Sequence, residues 1–219
     1  MWGAADMGRI PTREEMRRAL EERHSRELQD RLERAAVAVC GLGGLGSNIA
    51  IALARAGVGR LILIDFDRVD ISNLNRQQYD AEQIGMYKTE ALTQNLKRIA
   101  PYVELAARCA RLDAVNCAGL LADADIICEA FDDAEAKAML VNCVLESMPE
   151  KYLVAASGMA GMGPANGIRT RRISGRFYLC GDGISDVAEE NTLIASRAML
   201  CAAHQAHAVM RIIAGKYEV

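Results

Sequence analysis

A doubly wound α/β fold, a Rossmann-like and mainly parallel sheet ending in a C-terminal antiparallel extension, is predicted for this 219-residue chain by three observations. Short apolar runs alternate with mostly longer helical stretches from residue 35 to residue 157, the order expected of βαβ units. A glycine-rich turn joins the first apolar run to the first of those helices. Beyond residue 157 the alternation stops, and a polar hairpin pattern leads into one long apolar helix.

Taken in order, residues 13–34 hold seven arginines and seven acidic side chains at spacings that allow many i,i+4 pairs. That predicts one exposed helix with a thin apolar seam, so residues 1–34 read as a helical arm and residues 35–219 as the domain proper. AAVAVC is then a strand, residues 47–56 a helix, RLILID a strand, 86–99 a helix and VELAAR a strand. A short helix at 114–121, the strand ADIICEA, a helix at 134–145 and the strand YLVAAS complete the alternation. Strands this apolar, separated by helices, belong to a parallel sheet covered on both faces. SGMAGMGPANG reads as a Gly-rich loop, GIRTRRISGRFYLCGD as a hairpin turning at Ser174-Gly175, and 191–213 as a closing helix.

Composition narrows the function. Lys plus Arg number 26 against 29 Asp plus Glu, a net charge of −3, so no global positive field would hold the chain on nucleic acid or on an anionic membrane. Residues 35–54 are twenty uncharged positions, long enough to span a bilayer, but four glycines break them into strand, turn and helix. Seven cysteines without a C-x-x-C pair read as reduced thiols, and the opening stretch MWGAADMGRIPTREE has no apolar segment of the kind a secretion signal carries. A cytoplasmic location is expected.

The chemistry concentrates at strand ends. Gly41, Gly43 and Gly46 form G-x-G-x-x-G between a strand and a helix, which puts bare backbone amides and a helix N-terminus where a phosphate can approach. Nineteen residues after Gly46, Asp65 ends the next strand, where an acidic side chain can accept ribose hydroxyls. That fingerprint fits a dinucleotide or ATP equally. Downstream, Arg76 and Lys88 flank a polar cluster of Asn73, Asn75 and Gln77, and cations beyond the ribose position suit a triphosphate better than a pyrophosphate. Asp132 and Asp133 follow the strand ADIICEA at the edge where ligands of open parallel sheets bind. One of them can cap the next helix while the other, Asp132, serves as a Mg²⁺ ligand.

With these residues in view, GLGGLGSNIAIALARAGVGRLILIDFDRVDISNLNRQQY, GMYKTEAL, ICEAFDDAEAK and VAASGMAG together resemble the ThiF/MoeB/HesA superfamily of ubiquitin-activating-enzyme-like adenylyltransferases, most of all its short ThiF-type members. The resemblance covers nearly all of residues 30–215. It implies MgATP-dependent adenylylation of the C-terminal glycine carboxylate of a small ubiquitin-fold sulfur carrier, by a homodimer, in thiamine thiazole biosynthesis. It implies that Gly41, Gly43, Gly44 and Gly46 line the phosphates, with Asp65 on the ribose and Asp67 beside it. Asn73, Arg76, Gln77 and Lys88 would face the phosphates, Asp132 would hold Mg²⁺, and Arg26 would reach the site of the other subunit. The loop at residues 158–167 would cover the carrier tail. A carboxylate nucleophile is already ionised at neutral pH, which accounts for the lack of a Ser/His/Asp or Cys/His arrangement.

Rival readings share parts of this pattern. A tRNA threonylcarbamoyladenosine dehydratase also activates a carboxylate with ATP, but the chain is short for that role and lacks a basic surface for tRNA. A nicotinamide dehydrogenase would share residues 41–65 and leave Arg76, Lys88 and Asp132 without a use; a nucleotide-binding scaffold without turnover fits as well. Many superfamily members hold zinc through two C-x-x-C pairs; none is present, and no such site is expected. Cys201, His204 and His207 fan over about 120° of helix, which favours packing over a metal site. Cys180 has apolar neighbours and reads as a strand residue more readily than as a thioester-forming nucleophile. Arg169, Arg171, Arg172 and Arg176 form a basic stretch that suits an acidic carrier surface or simply a solvated hairpin.

Overall fold

Alternating strand residues divide their side chains between two faces of one sheet, and that division organises the molecule. The computed structural model describes residues 8–190 and 192–219. Its elements run α1 (Arg13–His24), α2 (Arg26–Arg34), β1 (Ala36–Cys40), α3 (Gly46–Ala56), β2 (Arg60–Asp65), α4 (Lys88–Ile99), β3 (Glu104–Cys109), α5 (Cys117–Leu121), β4 (Ile126–Glu129), α6 (Ala134–Ser147), β5 (Tyr152–Ala156), β6 (Arg169–Ser174), β7 (Phe177–Gly181), α7 (Val187–Glu190) and α8 (Ala195–Ile213). The strands lie in the order β3-β2-β1-β4-β5-β7-β6, all neighbours parallel except the antiparallel pair β6–β7. This is the expected doubly wound sheet with its antiparallel extension. Three-residue 3₁₀ turns occupy part of the long β2–α4 connection.

Val37, Val39, Leu61, Leu63, Val154 and Tyr178 point to the face covered by α2, α3, α4 and α8. Ala38, Cys40, Ile62, Ile64, Ile127 and Leu153 point to the face covered by α5 and α6. Both faces are therefore buried along the inner strands β1, β2, β4 and β5, which need apolar residues at every central position and so read as continuous runs rather than alternations. The strand order reverses between β1 and β4, so their C-terminal ends open a crevice at the topological switch point.

The arm departs from the single exposed helix that its charge pattern predicts. Thr12 caps α1 through a reciprocal capping box with Glu15, and the chain then breaks at Ser25, whose φ of 82° no continuous helix can contain. Ser25 starts α2 with its hydroxyl accepting from the Leu28 amide at 3.3 Å. Arg17 bridges the two helices, pairing with Glu21, Asp30 and Glu33. Helix α2 is docked rather than free: Gln29 and Leu32 are buried, and the Gly59 amide donates to the Leu32 carbonyl at 2.9 Å. The chains approach so closely there that a Cβ on Gly59 would overlap the Glu33 backbone. Helix α2 thus helps to close the core, whereas α1 buries no residue. The closing helix starts at Ala195, later than its sequence pattern suggests, and Asn191 lies outside the described residues, as do residues 1–7 of the arm. No helix among the described residues is long and apolar enough to cross a membrane.

Candidate functional site

The glycine turn is built by backbone crowding. Gly41, at φ 89°, leaves β1 with its would-be Cβ only 2.7 Å from the Ala130 carbonyl oxygen at the end of β4. A Cβ on Gly46 would overlap the Gly41 carbonyl oxygen, so helix and strand can meet this closely only through glycine. Gly43 and Gly44 are different: a Cβ on either would make only ordinary van der Waals contact, at 3.7 Å from Gln77 Nε2 for Gly43 and at 3.4 Å from Arg76 Cγ and 3.6 Å from Ala198 Cβ for Gly44. Two of the four glycines are therefore required by the chain's own packing, and two lie beside Gln77 and Arg76 where a Cβ would fit. Helix α3 begins without a side-chain cap, and among the described residues the amides of Gly43, Gly44 and Leu45 donate to no protein acceptor. Open amides at a helix N-terminus are suited to an anion.

Asp65 ends β2 beneath this turn. One of its carboxylate oxygens accepts from the Leu42 amide at 2.6 Å, and the other from the Asp67 amide at 2.7 Å. It therefore positions the turn, and each oxygen keeps a second lone pair for a ligand hydroxyl. Segment 76–79 is laced to the turn by residues that sequence reading passed over. Asn48 donates to the carbonyls of Gly44 (2.7 Å) and Arg76 (3.2 Å) and accepts from Gln78 Nε2 (2.7 Å). Ser47 Oγ accepts from the Gln78 amide, and the Tyr79 hydroxyl donates to the Leu42 carbonyl at 2.7 Å. Burial, with Asp65 and Asp67 nearby, pushes the Tyr79 phenol far above its ordinary range, so it stays a donor. Only the S-N pair directly after the third glycine could have signalled this lacing, because its partners lie about 30 residues away in sequence.

Of the remaining sequence-predicted residues, Gln77 is 7% exposed, and its Oε1 has no hydrogen-bond partner among the described residues. A buried acceptor without a donor is costly, and a ligand hydroxyl or water would relieve that cost. Arg76 lies along Gly44, its Nη1 donating to the Ser72 carbonyl (3.0 Å) and to Asn75 Oδ1 (2.8 Å). Lys88 is not a solvated surface residue: it opens α4 at 7% exposure, with Nζ 2.9 Å from Asp67 Oδ2. Asn73 closes a capping box with Asp70, its Oδ1 accepting from the Asp70 amide at 3.1 Å, so its side chain is engaged in the local turn. Arg26 is exposed on the first turn of α2.

The two aspartates after β4 divide as their positions suggest. Asp133 caps α6, accepting from the Ala136 amide at 2.8 Å, while Asp132 is exposed with no hydrogen bond or ion pair among the described residues. Beneath them sits a carboxylate that the sequence reading missed. Glu129, 1% exposed, accepts from Lys137 Nζ at 2.9 and 3.0 Å and from the Phe131 amide at 2.8 Å. Burial raises its pKa, against the pull of Lys137 and the amides. Lys137 also donates to the Ala156 carbonyl, so this pair ties the ends of β4 and β5 under the crevice.

A second buried pair anchors the Gly-rich loop. Arg197 on α8 donates to the carbonyls of Ala160 (2.9 Å) and Gly163 (2.7 Å) and pairs with Asp182. Burial pushes the Asp182 carboxyl up, but the amides of Ser185 and Ile184, the Ser185 hydroxyl and Arg197 hold it below the ordinary value of 3.8. A carboxylate depressed in the fold contributes stability that is present above its unfolded pKa and is lost as pH falls through the folded one. Asp182→Asn should therefore cost about 3 kcal/mol at pH 7, with the deficit against the parent shrinking below about pH 4 in urea titrations.

The cysteines separate clearly. Cys180 is buried beside Thr170, and burial pushes its thiol up to about 11, which opposes a nucleophilic role. Cys109 is exposed at the sheet edge. Iodoacetamide at neutral pH should label Cys109 in the folded protein and leave Cys180 unmodified until denaturant is added, as read by peptide mass analysis. Cys201 is buried and His204 bonds Thr170 Oγ1 at 2.9 Å; no group of three or more His, Cys, Asp or Glu among the described residues is placed to hold a metal ion. Of the hairpin arginines, Arg172 and Arg176 lie over the rings of Tyr178 and Tyr152, at 5.7 and 4.8 Å.

Comparison with known proteins places the chain in a family. The model of the ThiF family matches residues 16–219. The chain is 36% identical over 123 residues to the molybdopterin-synthase adenylyltransferase of Escherichia coli, covering 55% of this chain and 49% of that one. It is 39% identical over 108 residues to the sulfur carrier protein adenylyltransferase of Thermus thermophilus, covering 49% and 40%. It is also 34% identical over 133 residues to the adenylyltransferase and sulfurtransferase MOCS3 of Caenorhabditis briggsae, covering 60% and 32%. The matched stretches thus span half or less of these curated relatives. Among solved structures, the Escherichia coli tRNA N6-threonylcarbamoyladenosine dehydratase in complex with ATP superposes with a TM-score of 0.83 at 18% identity, covering 95% of this chain and 98% of that one. The Escherichia coli MccB complex with ATP gives 0.68 at 23% identity, covering 87% and 58%. These likenesses establish the shared fold.

Proposed function

This chain belongs to the ThiF family, and on that premise we propose that it is an adenylyltransferase that activates the C-terminal glycine carboxylate of a small ubiquitin-fold sulfur carrier with ATP. One observation carries the reading: the amides of residues 43–45 are open at a helix N-terminus at the switch point, with Gln77 beside Gly43 and Arg76 beside Gly44. The names of the relatives, adenylyltransferases of molybdopterin synthase and of sulfur carrier proteins, support the same chemistry.

In this reading the phosphates lie on the glycine turn, and the spare lone pairs of Asp65 accept the ribose hydroxyls. Arg76, Gln77 and Lys88 face the phosphates, with Asp67 holding Lys88 in place; Asn73 shapes the turn that presents Arg76. Asp132 suits Mg²⁺: it is exposed and unpaired among the described residues, and that ion takes one or two carboxylates with phosphate and water as its other ligands. Bound with the nucleotide, Mg²⁺ would supply positive charge against the phosphates.

The carrier carboxylate attacks the α-phosphorus, the bond to the β-phosphate oxygen breaks, and pyrophosphate departs from an acyl-adenylate. Since the nucleophile is already ionised, the barrier is the approach of one anion to another and the charge gathering on the leaving group. Arg76 and Lys88 oppose both. A homodimer would bring Arg26 of α2 to the neighbouring site, and the loop at 158–167, braced by Arg197, would cover the carrier tail. Thiamine thiazole synthesis is the pathway we assign.

Carrier-stimulated pyrophosphate exchange tests this directly, run with a ThiS-like carrier, a MoaD-like carrier and tRNA. Exchange with the ThiS-like carrier alone supports the whole assignment. Exchange with the MoaD-like carrier moves the pathway, a response to tRNA alone favours the dehydratase reading, and no exchange with any of them overturns adenylyl transfer.

A further inference from the structure

Helix α8 joins two separate regions. Its first turns pack on the glycine turn, Ala198 Cβ lying 3.6 Å from where a Gly44 Cβ would stand. From His204 onward the same helix lines an open cavity of about 530 Å³, bounded also by the start of β6, by Tyr178 and by the tail after the helix. At 1.5 Å per residue, this cavity begins roughly 9 Å farther along the helix axis from Ala198. Its volume is in the range of small-molecule sites, which run from about 300 to 1,000 Å³.

The lining has two parts. Ile168, Tyr178 and Ala208 are buried and make an apolar floor. Around it stand Arg169, Arg211 and Lys216, with Glu218 as the one acidic side chain in the lining. The side chains of Arg169 and Lys216 have no ion pair or hydrogen bond among the described residues, and that of Arg211 donates only through Nε, to the Glu218 carbonyl at 3.0 Å. His204 also lines the cavity; its Nδ1 is engaged with Thr170 Oγ1, while Nε2 has no partner among the described residues. Three cations and one acidic side chain around the cavity leave a local excess of positive charge that favours an anion, and an apolar floor favours a ligand with a carbon body.

We propose that this cavity binds a small organic anion, with a phosphate or carboxylate head among Arg169, Arg211 and Lys216 and an aromatic or aliphatic body over Ile168, Tyr178 and Ala208. Phosphate and carboxylate share the chemistry that guanidinium groups recognise, and the probes separate them. The site is independent of adenylyl transfer, so its test needs neither carrier nor exchange.

Phenyl phosphate, benzoate and inorganic phosphate are titrated into the ¹⁵N-labelled, nucleotide-free protein, the amides of Gly43 and Gly44 reporting separately any binding at the glycine turn. Saturable shifts of the Tyr178 and Ala208 amides with phenyl phosphate or benzoate are expected, the stronger of the two naming the head group. Inorganic phosphate, lacking a body, should bind at least about tenfold more weakly. The exposed double substitution Arg169→Glu with Lys216→Glu should weaken the organic probes by a further tenfold or more, about 1.4 kcal/mol or above, with its thermal midpoint kept. The absence of saturable shifts at Tyr178 and Ala208, equal binding of inorganic phosphate, or indifference to the double substitution would each overturn the proposal.

Discussion

Asp132→Ala should lower carrier-dependent pyrophosphate exchange by at least about a hundredfold while leaving the urea midpoint of the protein unchanged. The two halves of that expectation have separate causes. Asp132 is exposed and makes no hydrogen bond or ion pair among the described residues, so its removal deprives the folded chain of nothing. The cap of α6 belongs to its neighbour Asp133, which stays. Asp133→Ala is thus the informative control: it should cost about 1 kcal/mol of stability through the lost cap and retain most of the exchange activity. Unchanged exchange in Asp132→Ala would take this carboxylate out of the mechanism, and a lowered midpoint would show that it serves the fold.

The second large effect is structural. Gly46→Ala should destabilise the protein by more than about 4 kcal/mol or prevent its folding, because the new methyl would overlap the Gly41 carbonyl oxygen and the backbone must shift at the junction of β1 and α3. Gly43→Ala, in the same motif, should fold with a stability close to the parent's, since a Cβ there meets nothing nearer than Gln77 Nε2 at 3.7 Å. Its expected defect is in ATP binding, measured by calorimetry. If both variants unfold alike, the division between packing glycines and ligand-facing glycines is wrong. If Gly43→Ala binds ATP normally, the phosphates do not lie on this turn.

The sheet and its order of elements were legible because strands buried on both faces must be apolar throughout, and the helices between them must carry a periodic apolar stripe. The arm was legible only as helical. Its charges suggested one exposed helix, whereas the break at Ser25 and the burial of Leu32 depend on where α2 meets the glycine at position 59. Asp65 was readable as the acid that ends β2, yet its grip on the Leu42 and Asp67 amides was not. Spacing identifies a side chain's place on an element; it does not reveal which backbone groups that element brings near.

The sequence by itself determined the alternation of strands and helices, the glycine turn, and the residue types gathered at the strand ends, because local propensity and burial patterns act along the chain. Only the tertiary structure decided that Glu129 meets Lys137 beneath the crevice, that Asn48 and Tyr79 lace two segments together, and that Arg197 braces the 158–164 loop. Each of these unites groups distant in sequence or on different elements, and a buried polar group finds its partner by packing across elements rather than by its neighbours along the chain.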